Sequence, residues 1–411
     1  KLFLLGILFL ASAPFLSSLL FIYPIVIGLV KNKRKLISDK YNYPLIVASF
    51  IIIIKSVIDM YYPALNNKSW DPSLNWIGLI NWIPLFLCYF GFQPYLASFN
   101  QRLLVSKFFI ASTIPILFSG IIQYFFKIYG PFKTLNGLII WYQRPIDFET
   151  GSGLTSVFSN PNYTGTWLTL IWPFCLSFLL INKRCKSNNK LFIIAILSLA
   201  FIVCAVLTNS RGAWISLILP IPLVLGRIAL LWLIPLLLII FSSILLTFIP
   251  VLNGDLQDFL RMLIPYKVWI KFSEVILNFS SLPRIKIWSN AILFISEKPI
   301  LGWGASSFPI LFYASTGLFR NHSHNLFMEL SLNYGLVASI SVFITIFLLF
   351  QNSLKEILRK KSFIEIINNK SWWAAALIFF TSHIYDITYY DLRISIASWI
   401  FLAGLRCISY P

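Results

Sequence analysis

Three short polar stretches of an otherwise apolar chain hold residues that could bind a charged group and move a proton. The first is Thr208-Asn-Ser-Arg211-Gly, in which Asn209, Ser210 and Arg211 offer amide, hydroxyl and guanidinium donors. Guanidinium groups pair particularly well with phosphate and carboxylate groups. An arginine at a helix end can also simply extend its charge to the membrane surface. The position of Arg211 between two apolar runs, with almost no loop, favours an anion site.

The second stretch, Pro283-Arg284-Ile285-Lys286, begins a predicted amphipathic helix over residues 284–297. The first turn of a helix presents free backbone N–H groups and the positive end of the helix dipole. Arg284 and Lys286 add positive charge to that end. The pattern therefore predicts a phosphate site, with contact to lipid head groups as the alternative interpretation.

The third stretch, Asn321-His322-Ser-His324-Asn325, leads into an apolar run. A neutral imidazole beside a bound phosphate is well suited to remove a proton from a hydroxyl group. Two histidines at this spacing could be metal ligands, but no third Cys, His or carboxylate lies nearby at ligand spacing, so we predict no metal site. For His322 alone, a structural role is the favoured interpretation.

The elements that must position these residues are transmembrane helices. Of the 411 residues, 58% are hydrophobic and 11% are charged, whereas soluble domains carry about 25% charged residues. Apolar runs long enough to cross a bilayer recur along the chain, so we predict an all-α polytopic membrane protein with about 11–12 transmembrane helices. These helices are expected to form one domain over residues 1–411. Residues 2–30, interrupted by Pro14 and Pro24, are predicted to form one long helix or a hairpin of two short ones.

The basic residues orient the helices in the membrane. The net charge is +19, and the excess of Lys and Arg lies in short loops between apolar runs rather than in a groove for nucleic acid. The basic loops assigned to the cytoplasm are 31–43, 100–107, 182–190 and 351–370. The turn at 208–211 and the long segment 251–323 then lie on the opposite, outward side. We expect the helix at 284–297 to lie along the membrane interface, and its predicted apolar positions are Ile285, Ile287, Trp288, Ile292 and Ile295.

At these stretches the sequence resembles the superfamily of O-antigen ligases and O-antigen polymerases. The family motif is a histidine followed by Asn, Ser or Gln, nine residues, a glycine, two residues, and Gly, Thr or Tyr. Here His324-Asn325 is followed by nine residues and Gly335, while Ala338 occupies the last position. Three further stretches in residues 150–345 are similar to the family: Phe158-Ser-Asn160-Pro-Asn162, Ser210-Arg-Gly212, and Arg284-x-x-x-Trp288 with Lys298-Pro-Ile-Leu-Gly302-Trp-Gly304.

The resemblance implies a glycosyltransferase with a GT-C-like helical fold that needs neither a metal nor a nucleotide sugar. Such enzymes transfer a glycan from a polyprenyl-diphosphate carrier to an acceptor hydroxyl at the periplasmic face of the bacterial inner membrane. The acceptor is a lipid A core for a ligase and a lipid-linked glycan for a polymerase. The resemblance assigns the diphosphate to Arg211 and Arg284, and the role of general base to His324. Expected further contacts with the substrates are Asn209, Ser210, Lys286, Asn325, His322, Asn160, Asn162 and Arg144.

The C-terminal stretch Ser382-His383-Ile-Tyr385-Asp386 to Arg393 is similar to a branch of the same superfamily that is named for inorganic-carbon (bicarbonate) transport. Intramembrane ionisable residues often mark ion pathways. Asp386, Asp391 and Arg393 lie at an outward helix end, however, where mutual pairing is the simpler interpretation. Transporters are also built from inverted repeats, and no such repeat is evident in the sequence. Inorganic-carbon transport therefore remains the alternative function.

Overall fold

The computed structural model describes residues 1–63, 70–147, 152–247, 254–263, 269 and 283–410. Almost all of the regular structure in these residues is α-helix, together with one antiparallel pair of short strands, β1 (Phe132–Thr134) and β2 (Ile139–Trp141). The helices, in chain order, are α1 (Leu2–Leu10), α2 (Pro14–Ser38), α3 (Tyr43–Tyr61), α4 (Leu74–Phe92), α5 (Phe99–Phe125), α6 (Pro161–Arg184), α7 (Asn188–Leu207), α8 (Arg211–Ile218), α9 (Pro220–Leu225), α10 (Ile228–Leu246), α11 (Gly254–Leu263), α12 (Pro283–Glu297), α13 (Phe308–Thr316), α14 (Leu326–Arg359), α15 (Phe363–Tyr385) and α16 (Leu392–Ser409).

Nine helices in the described part of the chain are long and apolar enough to cross a membrane. Two more segments run beside them: the short apolar helix Arg211–Leu225, formed by α8 and α9, and α15, which is 23 residues long. Helices satisfy every backbone hydrogen bond internally, which a bilayer interior demands. The predicted class, an all-α polytopic membrane protein, is confirmed.

The centre of the bundle is formed by α6, α15 and α16. The apolar parts of α6 and α16 are 89% buried inside the protein. The apolar part of α10 is only 17% buried, so α10 lies at the periphery. Trp372 of α15 is fully buried and packs edge-on against Phe174 of α6, with ring centroids 5.6 Å apart. Gly404 of α16 lies directly under the Trp372 ring, since a Cβ atom there would come within 2.3 Å of it.

Several predicted boundaries need correction. Residues 2–30 form a hairpin, but its second helix, α2, is long and passes through Pro24. The cytoplasmic loop expected at 351–370 is mostly helical, because α14 continues to Arg359 and α15 begins at Phe363. Polar residues extend α14 beyond its apolar part, with an ion pair of 2.6 Å between Arg359 and Glu356. The last residues of the predicted span 228–250 and much of 251–282 lie outside the described residues.

The predicted helix at 284–297 is present as α12, but its buried face differs from the one we expected. The buried residues are Ile287, Ala291, Phe294 and Ile295, while Ile292 is 57% exposed. The buried face differs from the predicted one because α12 packs against α13 and α14, which cover only some of its aliphatic residues.

A break in α14 fixes the segment that follows α12. Gly335 has φ +86°, and a Cβ atom there would lie 1.9 Å from the Ile300 carbonyl oxygen, so only glycine fits without a shift. The segment 299–304 docks against this break and replaces helical hydrogen bonds with its own. These bonds run from Trp303 N to Leu332 O (2.7 Å), from Gly304 N to Asn333 O (3.0 Å) and from Leu336 N to Pro299 O (2.7 Å).

Candidate functional site

His324 occupies the turn immediately before α14. Asn325 caps that helix, because its side-chain oxygen accepts the backbone N–H of Met328 at 3.1 Å. The amide nitrogen of Asn325 donates to the carbonyl oxygen of Ile384 at 3.0 Å, which ties the start of α14 to the end of α15. His324 itself has φ +56°, an uncommon backbone conformation for a residue other than glycine. Such a conformation persists only where the surrounding contacts hold it, and it is common at functional sites.

The imidazole of His324 is paired with Asp386. Nδ1 of His324 lies 2.9 Å from Oδ1 of Asp386, and the two side chains are 27% and 14% exposed. Asp386 also accepts the backbone N–H of Ile387 at 2.9 Å and, through Oδ2, the side-chain amide of Asn162 at 2.8 Å. Burial raises the pKa of Asp386, but the hydrogen bond from His324 and the charge of that ring outweigh it, so the pKa stays below its usual value. An ionised carboxylate only accepts, so Nδ1 of His324 carries a proton, and in the uncharged form of the ring Nε2 is the free basic nitrogen.

His322 supports the backbone of His324. Its Nδ1 accepts the backbone N–H of His324 at 3.2 Å, and the two rings meet edge-on with centroids 4.3 Å apart. Burial, with the charge of His324, lowers the pKa of His322 to about 4. His322 is therefore neutral near pH 7, and its arrangement suits a supporting role.

Arg284 lies in the first turn of α12 and is half-buried. Burial lowers the pKa of its guanidinium, the carboxylate of Asp386 raises it, and the charge of Arg211 lowers it. The charges of Asp386 and Arg211 therefore both act on the Arg284 guanidinium. Arg211 is exposed, whereas the half-buried Arg284 is less screened by solvent and contributes more of the positive field beside the His324–Asp386 pair.

Arg211 is the first residue of α8, on a turn that the end of α15 covers. Ser210 caps α8 by accepting the backbone N–H of Ala213 at 3.4 Å, and Asn209 before it has φ +54°. The residue after Arg211 must be small because Tyr385 packs against it. A Cβ atom on Gly212 would come within 2.3 Å of the Tyr385 ring. The turn that carries Arg211 is thus packed against the residue that precedes Asp386.

The remaining predicted site residues divide into two groups. Asn160 caps α6 by accepting the backbone N–H of Asn162 at 2.8 Å, and Asn162 reaches Asp386, so this stretch joins the site. Lys286 is exposed on α12, and Arg144 is exposed with its guanidinium 6.0 Å from the Tyr142 ring. Among the described residues, neither Lys286 nor Arg144 hydrogen-bonds to the His324–Asp386 pair.

The sequence reasoning missed Asp386. The sequence analysis predicted that Asp386, Asp391 and Arg393 pair with one another. Asp391 and Arg393 do pair, but Asp386 does not join them. Arg393 binds Asp391 through two hydrogen bonds of 2.8 Å and 2.5 Å, and its guanidinium lies 3.8 Å from the Phe158 ring centroid. Spacing could not have linked Asp386 to His324, since the two are 62 residues apart. The usable signal was an acidic residue at the outward end of an apolar helix.

The same contact corrects the argument that the two histidines have no third ligand nearby. His322, His324 and Asp386 each offer a ligand atom, and these atoms all lie within 4.8 Å of one another. Several of the group's polar atoms already bond within the protein, since Nδ1 of His322 accepts a backbone N–H and Nδ1 of His324 faces Asp386. This is the arrangement expected of a proton-transfer pair with a supporting ring.

The fold and site together define a multi-pass membrane protein with a His–Asp pair beside two arginines. Comparison with known families gives a match to the O-antigen ligase family over residues 193–343. This range holds Arg211, Arg284, His324 and Gly335, and it confirms the resemblance to that superfamily. It indicates a ligase-like or glycosyltransferase-like enzyme whose substrates are lipid-linked glycans. Asp386 lies beyond the matched range. No curated protein matches the chain.

Proposed function

We propose that this protein transfers a glycan from a polyprenyl-diphosphate carrier to the hydroxyl group of a lipid-anchored acceptor, without a metal ion. We further propose that it acts at the periplasmic face of the bacterial inner membrane, on a GT-C-type helical fold. The observation that carries the proposal is the pairing of His324 with Asp386 at 2.9 Å, next to Arg284 and Arg211. A base and an anion site side by side are what transfer from a diphosphate requires.

The His324–Asp386 pair supplies the base. Nε2 of His324 takes the proton from the acceptor hydroxyl as its oxygen attacks the anomeric carbon of the glycan. The bond between that carbon and the diphosphate oxygen breaks, and its electron pair leaves with the diphosphate. Asp386 accepts the hydrogen bond from Nδ1, orients the ring and stabilises the imidazolium that forms.

The two arginines stabilise the leaving group. Departure of the diphosphate concentrates negative charge on its oxygens, and fixed cations in a poorly screened site lower the energy of that transition state. Arg284 is half-buried, and Arg211 lies close enough to influence its pKa. The backbone N–H groups in the first turn of α12 can add donors to the same anion.

The proposed orientation rests on the distribution of basic residues. Lys31, Lys33 and Arg34 at the end of α2, and Lys183 and Arg184 at the end of α6, lie at helix ends assigned to the cytoplasm. His324 and Asp386 lie at the start of α14 and the end of α15, which the same alternation assigns to the other side. The long outward segment 251–323 leads directly into His324.

Inorganic-carbon transport is the competing proposal, and the structure gives it less support than the sequence alone. Its motivation was the charged C-terminal stretch. Asp391 and Arg393 neutralise each other in a buried pair, and Asp386 is held by His324 and Asn162. Each of these three charges therefore has a local partner in the structure.

The test is reconstitution of the purified full chain in liposomes with a polyprenyl-diphosphate-linked glycan and a lipid-anchored acceptor. Wild-type protein is expected to form the glycosylated acceptor, and His324→Ala is expected to lose about 10²–10⁴-fold in rate, the range for general bases. Lys133→Ala, an exposed change on β1, is the matched control and should leave the rate unchanged. Equal rates for His324→Ala and wild type would sink the proposal. Flux of labelled bicarbonate into the same liposomes, without glycan transfer, would favour the transporter.

A further inference from the structure

A charged cavity of about 420 Å³ lies between α3 and the segment that follows α12. Its polar lining is Lys55, Asp59 and Lys298, and its apolar lining includes Ile58, Ile300 and Leu301. We propose that this cavity binds the phosphate group of a membrane lipid, with Lys298 contacting the phosphate, the Lys55–Asp59 pair lying behind it and the aliphatic wall contacting the acyl chain. This inference is independent of the glycan-transfer chemistry at His324.

The first observation is an ion pair inside the apolar helix α3. Nζ of Lys55 lies 2.5 Å from Oδ1 of Asp59, and the two side chains are only 4% and 0% exposed. Ionisable residues within membrane helices are costly to bury and usually serve a site or a pathway. This pair lies in the wall of the cavity, so its charges act on a ligand there although both side chains are almost fully buried.

The second observation is the additional cation. Lys298 faces the same cavity, with its Nζ 4.0 Å from the centroid of the Trp303 ring. Burial, followed by the charge of Lys55, lowers the pKa of Lys298, while Asp59 and then Glu297 oppose the shift. The lining thus carries two ammonium groups against one carboxylate and keeps an excess positive charge. Glu297 is exposed and does not line the cavity. This balance favours an anion as ligand.

The third observation is the apolar wall. Ile300 is 67% exposed and Leu301 is 44% exposed, and both border the lysines. Tyr62, 79% exposed, lies at the rim, as aromatic residues often do at the level of lipid head groups. A small inorganic anion would leave this aliphatic surface unused. A phosphate attached to alkyl chains matches both halves of the lining.

The cavity wall is held rigidly. The segment 299–304 is bonded to α14 at the Gly335 break, and Gly304 packs on Asp59, since a Cβ atom there would come within 2.6 Å of its carboxylate. Trp70 adds a hydrogen bond of 3.0 Å to the Ala305 carbonyl oxygen. The contact at Asn333 lies eight residues from Asn325, or about 12 Å along α14. The proposed lipid site is therefore separate from His324 but built on the same helix.

Binding of phosphatidic acid to the purified full chain in detergent, measured by native mass spectrometry, tests the inference. Wild type should retain phosphatidic acid in preference to diacylglycerol with the same chains. Lys298→Gln should weaken retention about five-fold, the effect of losing one charge-assisted contact. Lys298→Arg should restore it, and Lys133→Gln, an exposed control on β1, should leave it unchanged.

Equal retention of phosphatidic acid and diacylglycerol, or no effect of Lys298→Gln, would overturn the inference. Competition by inorganic phosphate at the same concentration as the lipid would also overturn it, because the acyl chain would then contribute nothing. His324→Ala should bind phosphatidic acid as wild type does, so failure of the proposed glycan transfer and failure of this site remain distinguishable. Lys55→Met/Asp59→Leu removes both charges of the α3 pair together, leaves the net charge of the lining unchanged, and should weaken binding less than Lys298→Gln does.

Discussion

Two acidic residues near α14, Asp386 and Asp59, each pair with a basic side chain, yet they are built in different ways. Asp59 pairs with Lys55 one turn away on the same helix, and both side chains are almost fully buried. Asp386 pairs with His324 from a distant part of the chain and also binds Asn162. A local Lys–Asp pair holds fixed charges. A His–Asp pair assembled from three segments contains a ring that can accept a proton on one nitrogen while the other is held by the carboxylate.

The largest effect on stability is expected at the local pair. Lys55→Met removes the ammonium partner of a fully buried carboxylate, and breaking such a pair costs about 3–5 kcal/mol. Lys55→Met/Asp59→Leu removes both charges and should regain most of that loss. The midpoint of thermal unfolding in detergent measures both variants. A Lys55→Met protein as stable as wild type would show that Asp59 does not depend on this pair.

A smaller free-energy change, on activity instead of stability, is expected at the arginine beside Asp386. Arg284→Ala removes a cation that would meet the leaving diphosphate, and loss of one such stabilising group costs about 10²-fold or more in rate. Lys286→Ala, two residues along α12 and exposed, should cost much less. Initial rates of glycan transfer in liposomes compare the two variants. Equal losses of rate would mean that only the total positive charge of α12 matters, and not the position of Arg284.

No effect is expected from removal of divalent cations. His322, His324 and Asp386 could together hold an ion, but Nδ1 of His322 and Nδ1 of His324 already form hydrogen bonds within the protein. Glycan transfer should therefore proceed at the same rate after dialysis against EDTA. A loss that added Zn²⁺ or Mn²⁺ restored would change this group from a proton-transfer pair into a metal site.

The sequence predicted the helical membrane class and the three stretches that carry Arg211, Arg284 and His324, because apolar length and local residue type are readable without coordinates. It did not predict the partner of His324, because Asp386 reaches it only through tertiary packing of α14 against α15. The sequence identified Gly335 as the motif glycine, but it did not reveal why a glycine is required there. Its role depends on the approach of the Ile300 carbonyl oxygen, which no local pattern reveals. Lys55 and Asp59 are four residues apart in an apolar run, so their pairing could have been predicted from spacing, whereas the cavity beside them could not.

A double-mutant cycle of His324 and Asp386 tests the central claim most directly. The rates of glycan transfer in liposomes are measured for wild type, His324→Ala, Asp386→Asn and the double variant, with the amount of folded protein checked for each. Residues that act as one unit are strongly non-additive, so the double variant should be about as slow as the slower single variant. Losses that multiply in the double variant would contradict the account, because Asp386 would then act independently of the imidazole that it contacts.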